Sequence, residues 1–137
     1  VNFVPIPTNI EALEKLFPLW EPFLDGISRR SKEPIRDLIA AVKGLRVQIA
    51  LVWGDDNKPH ALVGMQYRKR GDDLIGEICW LTGKGMKEWR HLLPQMEKYL
   101  KEEKGCVEIR PICRPGWSRF LTTNGFKTTH FVMEKKL

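Results

Sequence analysis

The segment Val47–Trp53 reads VQIALVW, an apolar run broken only by Gln48. Successive side chains of a strand point to opposite faces, so a strand apolar at nearly every position has to be covered on both sides. A layered α/β arrangement is therefore expected. Gly54-Asp55-Asp56-Asn57-Lys58-Pro59 supplies turn chemistry next. Ala61–Tyr67 reads as an antiparallel partner, Arg68–Asp73 as a second turn, and Leu74–Leu81 as the third strand of a meander.

Upstream, Phe3-Val4-Pro5-Ile6 fits a short edge strand, where proline is tolerated. Thr8-Asn9-Ile10-Glu11 has the form of a capping box, with the Thr8 hydroxyl accepting the Glu11 amide. Ile10, Leu13, Leu16, Phe17, Trp20, Phe23 and Leu24 then form a one-sided helical stripe, which Pro18 and Pro22 should kink or break. A basic loop, residues 28–32, leads to a second helix that starts at Glu33-Pro34 and carries Ile35, Leu38, Ile39, Val42 and Leu45. After the meander, Thr82-Gly83-Lys84-Gly85 opens a long helix that Pro94 should bend. Val107–Arg110 alternates as a strand, a short helix around Trp117, Phe120 and Leu121 ends at Asn124-Gly125, and Phe131-Val132-Met133 is the expected last strand. The order is β-α-α-β-β-β-α-β-α-β, with no repeat or linker, so residues 1–137 are expected to form one domain.

Composition narrows the partners. Apolar residues make up 42% and charged residues 29% of 137, a globular balance, and no apolar run approaches the ~18 residues of a membrane span. Net charge is +6, but residues 1–70 and 71–137 each hold +3, so no basic arm marks a nucleic-acid partner. Trp20, Trp89 and Trp117 fall on apolar helix faces and Trp53 and Trp80 at strand ends, which fits core packing better than a base-stacking surface. Arg29, Arg30 and Lys32, or Arg68, Lys69 and Arg70, read as solvated basic loops. Cys79, Cys106 and Cys113 have no C-x-x-C spacing, and His60, His91 and His130 are scattered, so no metal is expected. Val1–Pro5 lacks the basic-then-apolar layout of a signal peptide, and the expected setting is reducing and cytoplasmic.

Two stretches carry chemistry. Leu81-Thr82-Gly83-Lys84-Gly85-Met86 joins a strand to a helix start, whose unpaired amides and positive dipole end suit a phosphate or pyrophosphate. Lys84, Lys87 and Arg90 add charge there. Taken alone, two glycines so spaced serve a tight turn more often than a phosphate loop. The second stretch runs from Arg114 to Phe126, a short helix closed by Asn124-Gly125-Phe126 just before a strand.

In this order and spacing the two stretches resemble the GNAT superfamily of acyl-CoA-dependent N-acetyltransferases. Gly83 and Gly85 match the glycines of its pyrophosphate loop, and Gly125-Phe126 its later signature. The element order fits that fold over the whole chain, with the motif match concentrated in 74–133. Trp80 stands where the family has Gln or Arg, and Leu121 where it often has a tyrosine that protonates the departing thiolate. The stretches 80–89 and 116–126 also look like small GNAT-like proteins of tailed bacteriophages, among them internal virion and virion-assembly proteins.

The resemblance implies acetyl-CoA as cofactor, held by Leu81, Thr82, Gly83, Lys84, Gly85, Met86 and Lys87, with an unknown amine as acceptor. It implies Glu77 as general base, on the strand that feeds the glycine loop. Ile75 and Cys79 share its face by alternation, and apolar surroundings there would raise a carboxyl pKa. The same resemblance leaves a second outcome open, a GNAT-fold virion-assembly protein without catalysis whose partners are other virion proteins. A homo-oligomer is also left open. His91 is expected on a solvated helix face, His60 and His130 have no evident catalytic partner in the sequence, and Cys79 and Cys106 are expected to be small buried residues.

Overall fold

The structure is a computed structural model that describes residues 2–83, 86–113, 117–130 and 132–137, the side chains of residues 86–90 excepted. Five strands form one sheet in the order β1-β2-β3-β4-β5: β1 (Asn2–Pro5), β2 (Gln48–Trp53), β3 (Pro59–Arg70), β4 (Asp73–Gly83) and β5 (Glu108–Pro111). The first four pair antiparallel and β5 joins β4 in parallel, with a helix supplying the crossover that parallel neighbours need.

β2 behaves as its composition requires. Ile49 and Leu51 enter one core with Leu13, Trp20, Leu24 and Leu38, while Ala50 and Val52 enter a second core with Leu92 and Met96. The first core is roofed by helices α1 (Ile10–Lys15), α2 (Phe17–Trp20), α3 (Leu24–Ser31) and α4 (Ile35–Lys43), with one 3-10 turn at Glu21–Phe23. The second is roofed by α5 (Met86–Lys98) and the π-helical turn Tyr99–Glu103 that continues it. A short helix α6 (Ser118–Thr123) follows β5.

The prolines break the N-terminal helix as expected, but each break restarts rather than ends it. Pro18 lies in the first turn of α2 and Pro22 in the 3-10 turn, positions where the missing N–H has no intrahelical partner to lose. Trp20 anchors the corner: it is fully buried and donates from Nε1 to the Leu13 carbonyl at 3.0 Å.

Three expectations need correction. The N-cap of α1 is Asn9, which accepts from the Ala12 amide at 2.8 Å, and not Thr8, because Asn9 is the last residue with extended backbone. Residues 28–31 belong to α3 rather than to a loop, since Leu24 and Ile27 are both buried by continuing the helix, and Lys32 closes it in a left-handed conformation at φ 63°. Val132 and Met133 form no strand and are 86% and 91% exposed. An apolar triplet between Thr129-His130 and Glu134-Lys135-Lys136 offers little surface to bury, and a ladder without a buried face gains little in water. Phe131 itself lies outside the described residues.

Candidate functional site

Three features of β4 shape its surroundings. The first is a register shift against β3: Gly64 pairs with Trp80 but Met65 pairs with Ile78, so Cys79 is an extra residue on β4. Such a bulge resets the alternation of side chains. Ile78 enters the second core, Cys79 and the next residue Trp80 both pack against the first, and Leu81 returns to the second. Trp80 lies over Gly64, where a Cβ would come within 2.8 Å of it.

The second feature is the parting of β4 and β5. Their parallel pairing runs only from Ile75↔Glu108 to Ile78↔Pro111, with one further bond from the Ile112 amide to the Ile78 carbonyl at 3.0 Å. Beyond it β4 continues to Gly83 without β5 beside it. The gap is an apolar slot lined by Ile78, Leu81, Leu93, Trp117, Phe120 and Leu121. Its volume of about 40 Å³ is room for a few waters. The slot is therefore closed from the α6 side, while Trp80 has been turned to the other face of the sheet by the bulge.

The third feature is an open cleft of about 680 Å³ beside the middle of β4, where it pairs with β3. There the β3–β4 hairpin runs past the start of β2, since Gln48 pairs with Met65 and Gln66–Arg70 have no β2 partner. Glu77 lines this cleft with Arg46, Gln66 and Arg68. Its side chain is only 15% exposed, and Oε1 lies 3.9 Å from Arg68 Nε. Ile75 and Cys79 do flank it, but the nearest partner is a guanidinium across the sheet rather than apolar surface. Gln48, Tyr67 and Lys104 complete the wall.

The predicted cofactor residues fall as follows. Leu81 lines the slot, and its carbonyl accepts from Arg30 at 3.3 Å. Thr82 is buried, and its Oγ1 abuts Gly26 of α3, so its side chain is spent on helix packing. Gly83 ends β4 at φ 147°, and a Cβ there would sit 2.3 Å from the His60 carbonyl and 2.5 Å from Ala61 Cβ. Its glycine is thus already required by the approach of β3. Met86 and Lys87 form the first turn of α5 with side chains outside the described residues; Lys84 and Gly85 lie outside them entirely.

Other candidates resolve individually. His60 has a partner that sequence reasoning missed: its Nε2 is 2.8 Å from Asp56 Oδ1 across the β2–β3 turn. That hydrogen bond holds the Asp56 carboxyl below its ordinary value. The i to i+4 spacing across a turn was the available signal. Cys79 is mostly enclosed, and burial pushes its thiol up to about 12, so it carries no thiolate at neutral pH. Cys106 is buried beside Gly76, and burial raises its thiol too. His91 is exposed on α5, as expected of a polar helix face. Among the described residues no group of three His, Cys, Asp or Glu is placed to hold a metal, and no helix is long and apolar enough to cross a membrane.

With this geometry in place, comparison with known proteins identifies the fold. No protein-family model and no curated sequence matches the chain. Solved structures do match. A possible acetyltransferase from Clostridium difficile 630 superposes with a TM-score of 0.68 at 10% identity, over 99% of this chain and 97% of that one. A ribosomal-protein-alanine N-acetyltransferase from Brucella melitensis biovar Abortus 2308 gives 0.62 at 10% identity, over 100% and 99%. A glucosamine-6-phosphate N-acetyltransferase from Arabidopsis thaliana gives 0.59 at 16% identity, over 99% of each chain. The chain has the mixed α/β fold of the GNAT acetyltransferases.

Proposed function

We propose that the chain is an acetyl-CoA-dependent N-acetyltransferase acting on a small amine. The observation that carries this reading is the conjunction on β4: the strand parts from β5 after Ile78, bulges at Cys79, and is the element that α5 follows in the chain. The apolar slot suits the pantetheine arm in character, while its present volume requires α6 to draw back before the arm can enter. Bound acetyl-CoA supplies an activated acyl group as a thioester.

The chain's own residues then divide the work. The amides that open α5, with Lys84 and Lys87, would hold the pyrophosphate. The amide of Cys79, at the bulge, would be the group to stabilise the charge that develops on the acyl oxygen. Glu77 lies two residues earlier on the same face, ~7 Å along the strand. It takes the proton of the attacking amine, directly or through one water. Leu121 has no proton to give, so the leaving thiolate is not protonated from that position.

The closed slot favours a second reading: a GNAT-fold protein in which Trp117, Phe120 and Leu121 have replaced cofactor binding by packing, leaving a protein-assembly role such as that of virion components. Titration calorimetry with acetyl-CoA and CoA separates the two. Wild type is expected to bind in the micromolar range, Gly85→Trp at least about a hundredfold more weakly, and Leu121→Ala as tightly as wild type or tighter. No heat from any of the three at millimolar ligand overturns the transferase reading. Binding by Leu121→Ala alone establishes the second reading, because only the filled slot then stands in the way.

A further inference from the structure

The cleft beside Glu77 is built for charge of one sign. Arg46, Arg68 and Lys104 line it, and Glu77 is the one acidic side chain among its described lining residues. Neither Arg46 nor Lys104 makes an ion pair among the described residues. Lys104 is positioned without being neutralised, its Nζ lying 5.5 Å above the Tyr67 ring and 6.0 Å above that of Tyr99. Among the described residues, Arg68 is held by its loose 3.9 Å contact with Glu77. A concave wall focuses the field of such cations into the space they surround.

The floor of the cleft is tied together by hydrogen bonds. Gln48 donates from Nε2 to the Tyr99 hydroxyl at 2.7 Å and accepts from the Tyr67 hydroxyl, so its amide is committed to the protein. The Gln66 amide has no partner among the described residues and remains for a ligand. At the rim, Leu45 adopts a left-handed backbone at φ 59°, a conformation costly for a branched side chain, directly before Arg46. The volume of about 680 Å³ lies within the roughly 300–1,000 Å³ usual for small-molecule sites.

We propose that the acceptor is a small amine carrying an anionic group, a carboxylate or a phosphate, which Arg46, Arg68 and Lys104 hold while its amine faces Glu77. This rests on the transferase reading for the fate of the amine, but not for the binding of the anion. The anionic group also competes with Glu77 for Arg68, which leaves the carboxylate free to take the amine proton.

The test is a set of matched pairs titrated calorimetrically with and without CoA. β-Alanine is set against β-alaninamide, and O-phosphoethanolamine against ethanolamine. At least one acidic member is expected to bind about tenfold or more tightly than its neutral partner, with that margin shrinking as salt rises. Which acid wins distinguishes carboxylate from phosphate. Arg46→Gln and Lys104→Gln are expected to remove the margin and leave acetyl-CoA affinity unchanged. If acetyl-CoA binds but acidic and neutral members bind alike, the acidic-acceptor inference is wrong and the transferase reading stands. If acidic members bind selectively and acetyl-CoA does not, the anion site stands and the transferase reading falls. A margin that survives in both variants places the anion elsewhere and overturns the assignment.

Discussion

At Gly83 the lack of a side chain is a demand of the sheet. Its φ of 147° and the 2.3 Å separation between a hypothetical Cβ and the His60 carbonyl leave no room for even a methyl group. Gly83→Ala is therefore expected to destabilise the fold by about 2–3 kcal/mol, read as a lowered urea midpoint without any ligand. Were acetyl-CoA binding lost at unchanged stability, the residue would belong to the cofactor loop rather than to the sheet. Glu77 shows the same competition between roles. The alternation that places it beside Ile75 and Cys79 is local and was readable. The Arg68 guanidinium across the sheet depends on β3–β4 register, which no single segment specifies.

Among elements, the helices before β2 show how capping and proline positions set boundaries. Asn9 accepts the Ala12 amide, so Asn9→Ala is expected to cost about 1 kcal/mol by chemical denaturation, whereas Thr8→Ala should cost almost nothing. The reverse order would restore the capping box centred on Thr8. β4 is the most irregular element of the sheet. Its bulge gives Cys79 and Trp80 the same face, although strict alternation would have separated them. One inserted residue thereby moves Trp80 out of the slot and leaves α6 to close it.

For the whole molecule, protection should follow the two cores. Backbone amides of β2 and of Leu62–Met65, buried on both faces, are expected to exchange with deuterium most slowly, and those of residues 127–130 and 132–137 at rates near those of an unfolded chain. Slow exchange across 132–137 would show that the segment does pair with a partner strand.

What the amino-acid order determined by itself is the part of the protein governed by short-range periodicity. The double-sided run of β2, the meander, the amphipathic stripes of α4 and α5, and the strand–glycine–helix junction all express contacts a few residues apart. Together with the motif spacing they pointed to the GNAT fold. The tertiary structure decided the rest: the residue that caps α1, the continuation of α3 through Arg29 and Arg30, the bulge at Cys79, the closure of the slot by α6, and the meeting of Arg46, Arg68, Lys104 and Glu77 around one cleft. Those four cleft residues come from a helix–strand loop, two strands and the end of a π turn. Their proximity arises only from strand register and layer packing, which are properties of the assembled sheet and leave no periodic trace in the chain.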